Sequence, residues 1–159
     1  PISTLFPYTT LFRSNPHAID FPRAMLELDS LDFSFSGLKS AVLNYLNSCK
    51  MKSIEIHVPD VCASFQHAVV QVLKIKAQQA LAQTGYDTLV LAGGVAANSS
   101  LRDVMGEIEG IKLYYPPILL CTDNAAMIGC AGYYAAKAGH IGTLLTNAVP
   151  NLKIGEQKF

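Results

Sequence analysis

The chain has 159 residues, 50% hydrophobic and only 15% charged, with 12 Lys and Arg against 12 Asp and Glu. One domain fits that length, and a charged fraction well under the roughly 25% of an ordinary soluble domain excludes a disordered or tail-like chain. Zero net charge excludes holding nucleic acid by bulk electrostatics, so a nucleic-acid substrate would need a local patch or a partner's help.

Residues 1–14 have neither helical nor alternating periodicity, and the run from Thr4 to Ser14 resembles the translation of a sequencing-library adapter. They are expected to be a non-native arm, with residues 15–159 forming the domain. The alternation Leu31-Asp32-Phe33-Ser34-Phe35 predicts a strand. Ser36-Gly37 then opens a helix through Leu38, Val42, Leu43 and Leu46. Pro59-Asp60 starts the longest helix, which runs to about Ala82 with Val61, Phe65, Val69, Val72 and Leu73 at the 3.6 period and Gly85 just past its end.

Thr88 to Ala92 is a continuous apolar run of the kind found in strands buried on both faces, stopped by Gly93-Gly94. A helix is expected from Asn98 or Ser100 to Glu107, a strand at Ile111–Tyr115, the breaker Pro116-Pro117, and a last apolar helix from about Asp123 to Ala138. Helix, strand, helix, strand, helix predicts an α/β fold, a layered sheet with covering helices.

Cysteines at 49, 62, 121 and 130 include no Cys-x-x-Cys pair, which argues against a disulfide framework or zinc ribbon. They read as buried thiols in a reducing compartment. No apolar run approaches the ~18 residues of a membrane span, so a cytoplasmic protein with no membrane partner is expected.

Three segments could carry chemistry. In Leu89-Val90-Leu91-Ala92-Gly93-Gly94-Val95-Ala96-Ala97-Asn98, a strand delivers two glycines at its carboxyl end, where open α/β sheets place ligands. Gly93 and Gly94 would let a ligand approach the backbone and Asn98 would bind it; equally, the glycines make a tight turn and Asn98 caps a helix. In Cys121-Thr122-Asp123-Asn124-Ala125-Ala126-Met127, Asp123 could ligate a metal, or it and Thr122 could satisfy the first-turn amides. Ser34, Ser36, Gly37 and Lys39 could hold a phosphate, or amount to a cap and one solvated lysine. The histidines at 17, 57, 67 and 140 form no His-x-x-x-His pair, and His67 reads as a packed or surface residue.

Jointly and in order, Phe33-Ser34-Phe35-Ser36-Gly37-Leu38-Lys39, Ala63-Ser64-Phe65-Gln66, the Ala92–Arg102 segment and Cys121–Ile128 resemble one family, the universal tRNA threonylcarbamoyladenosine transferases of the TsaD type. The resemblance covers about residues 19 to 140, the carboxyl-terminal half of such an enzyme. It implies a part of an actin-like, sugar-kinase or Hsp70-type ATPase fold, and transfer of threonylcarbamoyl from threonylcarbamoyl-AMP to N6 of adenosine 37 in ANN-reading tRNAs. It also implies accessory subunits and one divalent metal ion, iron or zinc.

Residue by residue, the resemblance makes Asn98, with Gly93 and Gly94, the substrate-binding group and Asp123 one metal ligand. The family's other two ligands belong to a His-x-x-x-His pair that this sequence lacks, so the ion is not expected to be retained by this chain alone. An exposed apolar patch is expected where a second lobe would pack. A carbohydrate kinase or carbamoyltransferase of the same superfold remains open, as does a non-catalytic nucleotide- or partner-binding module.

Overall fold

The computed structural model describes residues 14–23 and 30–151. Of the expected foreign arm, residues 1–13 lie outside the described residues. Helix α1 spans Ser36–Met51 and buries Leu38 and Cys49, three turns apart on one face. Helix α2 spans Val58–Thr84, 27 residues and so about 40 Å long. Pro59 lies in its first turn, where a missing N–H costs nothing, and Asp60 there complements the helix dipole. The helix stops at Gly85, which turns left-handed (φ 71°) and donates its N–H to the Leu81 carbonyl at 2.9 Å, as expected from its position.

Helix α2 is the spine of the structure. Its first half packs on α1 and on residues 19–21 through a cluster of Phe21, Leu38, Val61 and Ala68. Further along, Val70 joins Leu101 and Met105 in a second cluster, flanked by Leu89 and Leu113. Leu101 and Met105 belong to helix α3, Ser99–Gly106, where spacing by four puts them on one face.

The second cluster also seats a parallel pair of strands, β1 (Thr88–Val90) and β2 (Lys112–Tyr114), with Leu89 opposite Leu113. Only these two side chains turn inward; Val90 is 65% exposed and Tyr114 58%. The expectation of a strand buried on both faces is therefore corrected, because the described residues supply no layer on the second side. The α/β class stands as a two-stranded sheet with helices against one face.

The expected strand at 31–35 does not form: residues 32–35 carry no regular structure. Ser30 instead donates to the Asp32 carboxylate at 2.7 Å and accepts from its backbone N–H at 3.0 Å, a local alternative to a ladder. Leu31 and Phe33 serve as walls of a cavity of about 440 Å³ rather than as strand residues. Two cysteine expectations also fail: Cys49 and Cys121 are buried, but Cys62 and Cys130 are exposed.

A single 3₁₀ turn at Ile118–Leu120 leads to the last helix, α4, Ala125–Lys137. No residue of α4 is buried. No described helix is long and apolar enough to cross a membrane.

Candidate functional site

The glycine turn begins where β1 ends. Gly93 holds φ 87° and ψ 174°, a backbone region essentially confined to glycine, so its identity is dictated by the turn. Gly94 has no such constraint, and a Cβ built on either glycine would meet nothing within 4 Å. The turn is thus bare backbone facing open space. One 3₁₀ turn, Gly94–Ala97, then carries the chain to Asn98.

Asn98 is the N-cap of α3: its Oδ1 accepts from the Leu101 N–H at 2.9 Å. Its Nδ2 donates to Gln66 Oε1 on α2 at 3.0 Å. The capping alternative is therefore realised, yet it does not exhaust the side chain. An amide has two donor hydrogens and two acceptor lone pairs, so one of each is left after these bonds. Ala92, Val95, Ala96 and Leu101 also line the apolar cavity that Leu31 and Phe33 wall on the other side.

The Asp123 segment is organised by its neighbour. Asn124, not Asp123 or Thr122, caps α4: its Oδ1 accepts from the Met127 N–H at 2.9 Å. Its Nδ2 donates back to the Thr122 carbonyl at 2.9 Å and the Leu120 carbonyl at 3.3 Å. That corrects the reading of Asp123 or Thr122 as the cap. One amide closes the turn on both sides, and the Asp123 carboxylate is left exposed and uncommitted to the helix.

Arg102 joins the two segments. From the first turn of α3 its Nε donates back to the Ala96 carbonyl beside the glycines. Its terminal nitrogen donates to the Pro116 carbonyl at 2.9 Å and approaches the Cys121 sulfur at 3.1 Å. The guanidinium also lies 4.4 Å from the centre of the Tyr115 ring, a cation–π contact. A planar fork can hold two chain segments at once, which a lysine ammonium cannot do with the same geometry. Gln66, Arg102 and Asn124 all lie inside the motif segments, but nothing in their spacing announced these bonds.

The third segment is not brought to this place. Ser36 and Lys39 line a separate open apolar groove of about 620 Å³ with Phe35, Val42, Leu43 and Phe65. Ser34 Oγ accepts from the Ser36 N–H at 3.3 Å, and the N-cap of α1 is Phe35, which makes no side-chain cap.

Residues 6–130 match the family described as TsaD: tRNA N6-adenosine threonylcarbamoyltransferase. The chain belongs to that family. Curated relatives bear the name tRNA N6-adenosine threonylcarbamoyltransferase. That of Clostridioides difficile (strain 630) is 60% identical over 145 residues, 89% of this chain and 43% of the relative. That of Desulfitobacterium hafniense (strain Y51) is 57% identical over 143 residues, 88% of this chain and 42% of the relative. The Clostridium beijerinckii protein is 49% identical over 148 residues, 91% and 44% respectively. The chain thus spans less than half the length of the curated relatives it matches.

A metal site for this TsaD-family chain needs several converging donors. Among the described residues no three His, Cys, Asp or Glu gather in that way. Asp123 alone supplies one carboxylate, which does not make a site for a transition metal.

Proposed function

We propose that residues 15–159 belong to the carboxyl-terminal half of an actin-like threonylcarbamoyltransferase acting on tRNA. The substrate is threonylcarbamoyl-AMP. The N6 amine of adenosine 37 attacks the carbamoyl carbonyl, the bond to the phosphate oxygen breaks, AMP leaves and the amine gives up a proton. This half contributes binding and orientation. Gly93 and Gly94 admit the adenylate close to the backbone, and Asn98 offers it one donor and one lone pair. Asp123 is a single ligand to a divalent ion, iron or zinc, whose remaining donors come from outside this chain. Accessory subunits and a cytoplasmic setting belong to the same reading.

The observation that carries the reading is the Arg102 bridge. One side chain bonds the 3₁₀ turn between Gly93 and Asn98, at the Ala96 carbonyl, and the loop that precedes Asp123, so the segments bearing the two candidate groups are mechanically joined.

The test is a chimaera in which residues 15–151 of this chain follow the amino-terminal part of the Clostridioides difficile relative. Threonylcarbamoyladenosine formed in tRNA is measured by mass spectrometry. Asn98→Ser keeps an oxygen to cap α3 but removes the amide donor, and is expected to slow the reaction about tenfold, the worth of one good hydrogen bond. Asp123→Ala is expected to abolish product. An active chimaera indifferent to both substitutions would overturn the residue roles, and one making no product would overturn the transferase reading.

A further inference from the structure

We propose that His17, Arg23 and His67 form a phosphate-binding patch where residues 15–23 lie along α2, and that an RNA backbone is its ligand. The choice of RNA over other phosphates rests on the transferase reading; the patch itself does not.

The segment carrying His17 is anchored on both sides. The Asn15 N–H donates to the Asp60 carboxylate at 2.7 Å, and the Ile19 N–H donates to Ser64 Oγ at 3.2 Å. Ser64 Oγ in turn donates to the Asn15 carbonyl at 3.4 Å, and the His17 N–H donates to the Asn15 side chain at 2.9 Å. Phe21 is 3% exposed in the cluster with Val61 and Ala68. Backbone bonds and a buried ring thus hold the chain from Asn15 to Phe21 against the helix before any ligand arrives, fixing His17 and the root of Arg23 two residues on, which lowers the ordering cost of binding.

His17 meets His67 of α2 edge to face, with ring centroids 4.6 Å apart at 71°. Burial first, and then the positive charges of His17 and Arg23, hold the His67 imidazole below its ordinary pKa. Three groups that carry or can take up positive charge therefore crowd one another. Among the described residues no third His, Cys, Asp or Glu joins the two imidazoles to hold a metal, whereas the permanent charge of Arg23 favours an anion. The acid beside them is Asp20, whose carboxylate stands 3.6 Å from the Arg23 guanidinium with its own side chain 90% exposed. That contact is too long for a hydrogen bond and weak in water, and it does not saturate a five-donor fork.

A phosphodiester oxygen pair fits the guanidinium fork, and a nearby imidazolium adds a further charge-assisted donor. Such an anion reverses the electrostatics at His67 and draws a proton onto it. With zero net charge over the chain, contact with a polyanion has to be local, and this cluster supplies that locality.

The experiment measures binding of a fluorescein-labelled single-stranded RNA to the 159-residue chain by anisotropy across a salt series. Arg23→Gln is expected to weaken binding about fivefold and to reduce the slope of log affinity against log salt by about one, as for one lost phosphate contact. Affinity of the parent is expected to rise between pH 8 and pH 6, and that rise to shrink in His67→Gln and to disappear when His17→Gln is added to it. His17→Gln, on an exposed side chain, repeats the test should Arg23→Gln disturb folding, which circular dichroism reads.

Inorganic phosphate is titrated alone while the His67 ring protons are followed by NMR. Phosphate-induced shifts with RNA binding untouched by the variants would overturn RNA as the ligand. No shift, with RNA affinity and salt slope unchanged in all three variants, would overturn the patch. Should the chimaera make no modified tRNA while the variants still weaken RNA binding, the transferase reading falls and the patch stands.

Discussion

Helices α2 and α4 are both rich in apolar residues, yet their surroundings are opposite. Along α2, Val61, Ala63, Ser64, Ala68, Val70, Val72 and even Lys76 are buried, whereas α4 buries nothing. In α4, Ile128 is 65% exposed, and Met127, Tyr133 and Tyr134 are exposed with it. The contrast separates what makes a helix from what stabilises it. Helix α4 has five alanines and one well-placed cap in its favour but Gly129 and Gly132 in its interior against it, while α2 is held by two clusters of side chains distant in sequence. The expected apolar patch is this uncovered helix, continued by Ile118, Leu119 and Leu120.

The largest effect that can break the comparison comes from paired truncations. Leu101→Ala empties the centre of the second cluster and is expected to cost about 2–5 kcal/mol in urea unfolding. Ile128→Ala on α4 is expected to cost under about 0.5 kcal/mol, as an exposed substitution does. Equal costs would mean that α4 is covered in solution.

A smaller effect sharpens the point. Asn124→Ala removes the cap and is expected to weaken α4 by about 1 kcal/mol. Hydrogen exchange at the Met127 amide should accelerate accordingly, while the urea midpoint of the α2 clusters stays where it was. A matching drop in that midpoint would show the two regions to be one cooperative unit.

The smallest effect is electrostatic and belongs to the α2 side alone. The Asn15 backbone N–H holds the Asp60 carboxyl below its ordinary range, against the opposing effect of burial and with help from His57. A carboxyl lowered on folding stabilises above its unfolded pKa, and that contribution disappears as pH falls through the folded value. The urea midpoint of the parent should therefore fall faster than that of Asp60→Asn on acidification below about pH 4. Parallel curves would show that the Asn15–Asp60 bond contributes nothing.

Much of this was legible beforehand. The start at Pro59, the apolar period and the Gly85 stop were readable because each is a signal carried by neighbours within four residues. The run at 31–35 misled because alternation describes a strand only if a partner ladder is within reach; here Ser30 and Asp32 bond each other instead. Asn98 was visible as either a cap or a ligand-binding group. That one amide caps α3 and retains a further donor and acceptor followed only from its bond to Gln66, thirty-two positions away.

The sequence alone determined the helices, the glycine turn and family membership, because propensity, capping and motif order are properties of local strings of residues. The tertiary structure decided which apolar faces are covered, that Asn124 rather than Asp123 caps α4, and that Arg102 ties the 3₁₀ turn before Asn98 to the loop before Asp123. Those outcomes depend on distances between segments far apart along the chain, and only packing and long-range hydrogen bonds set them.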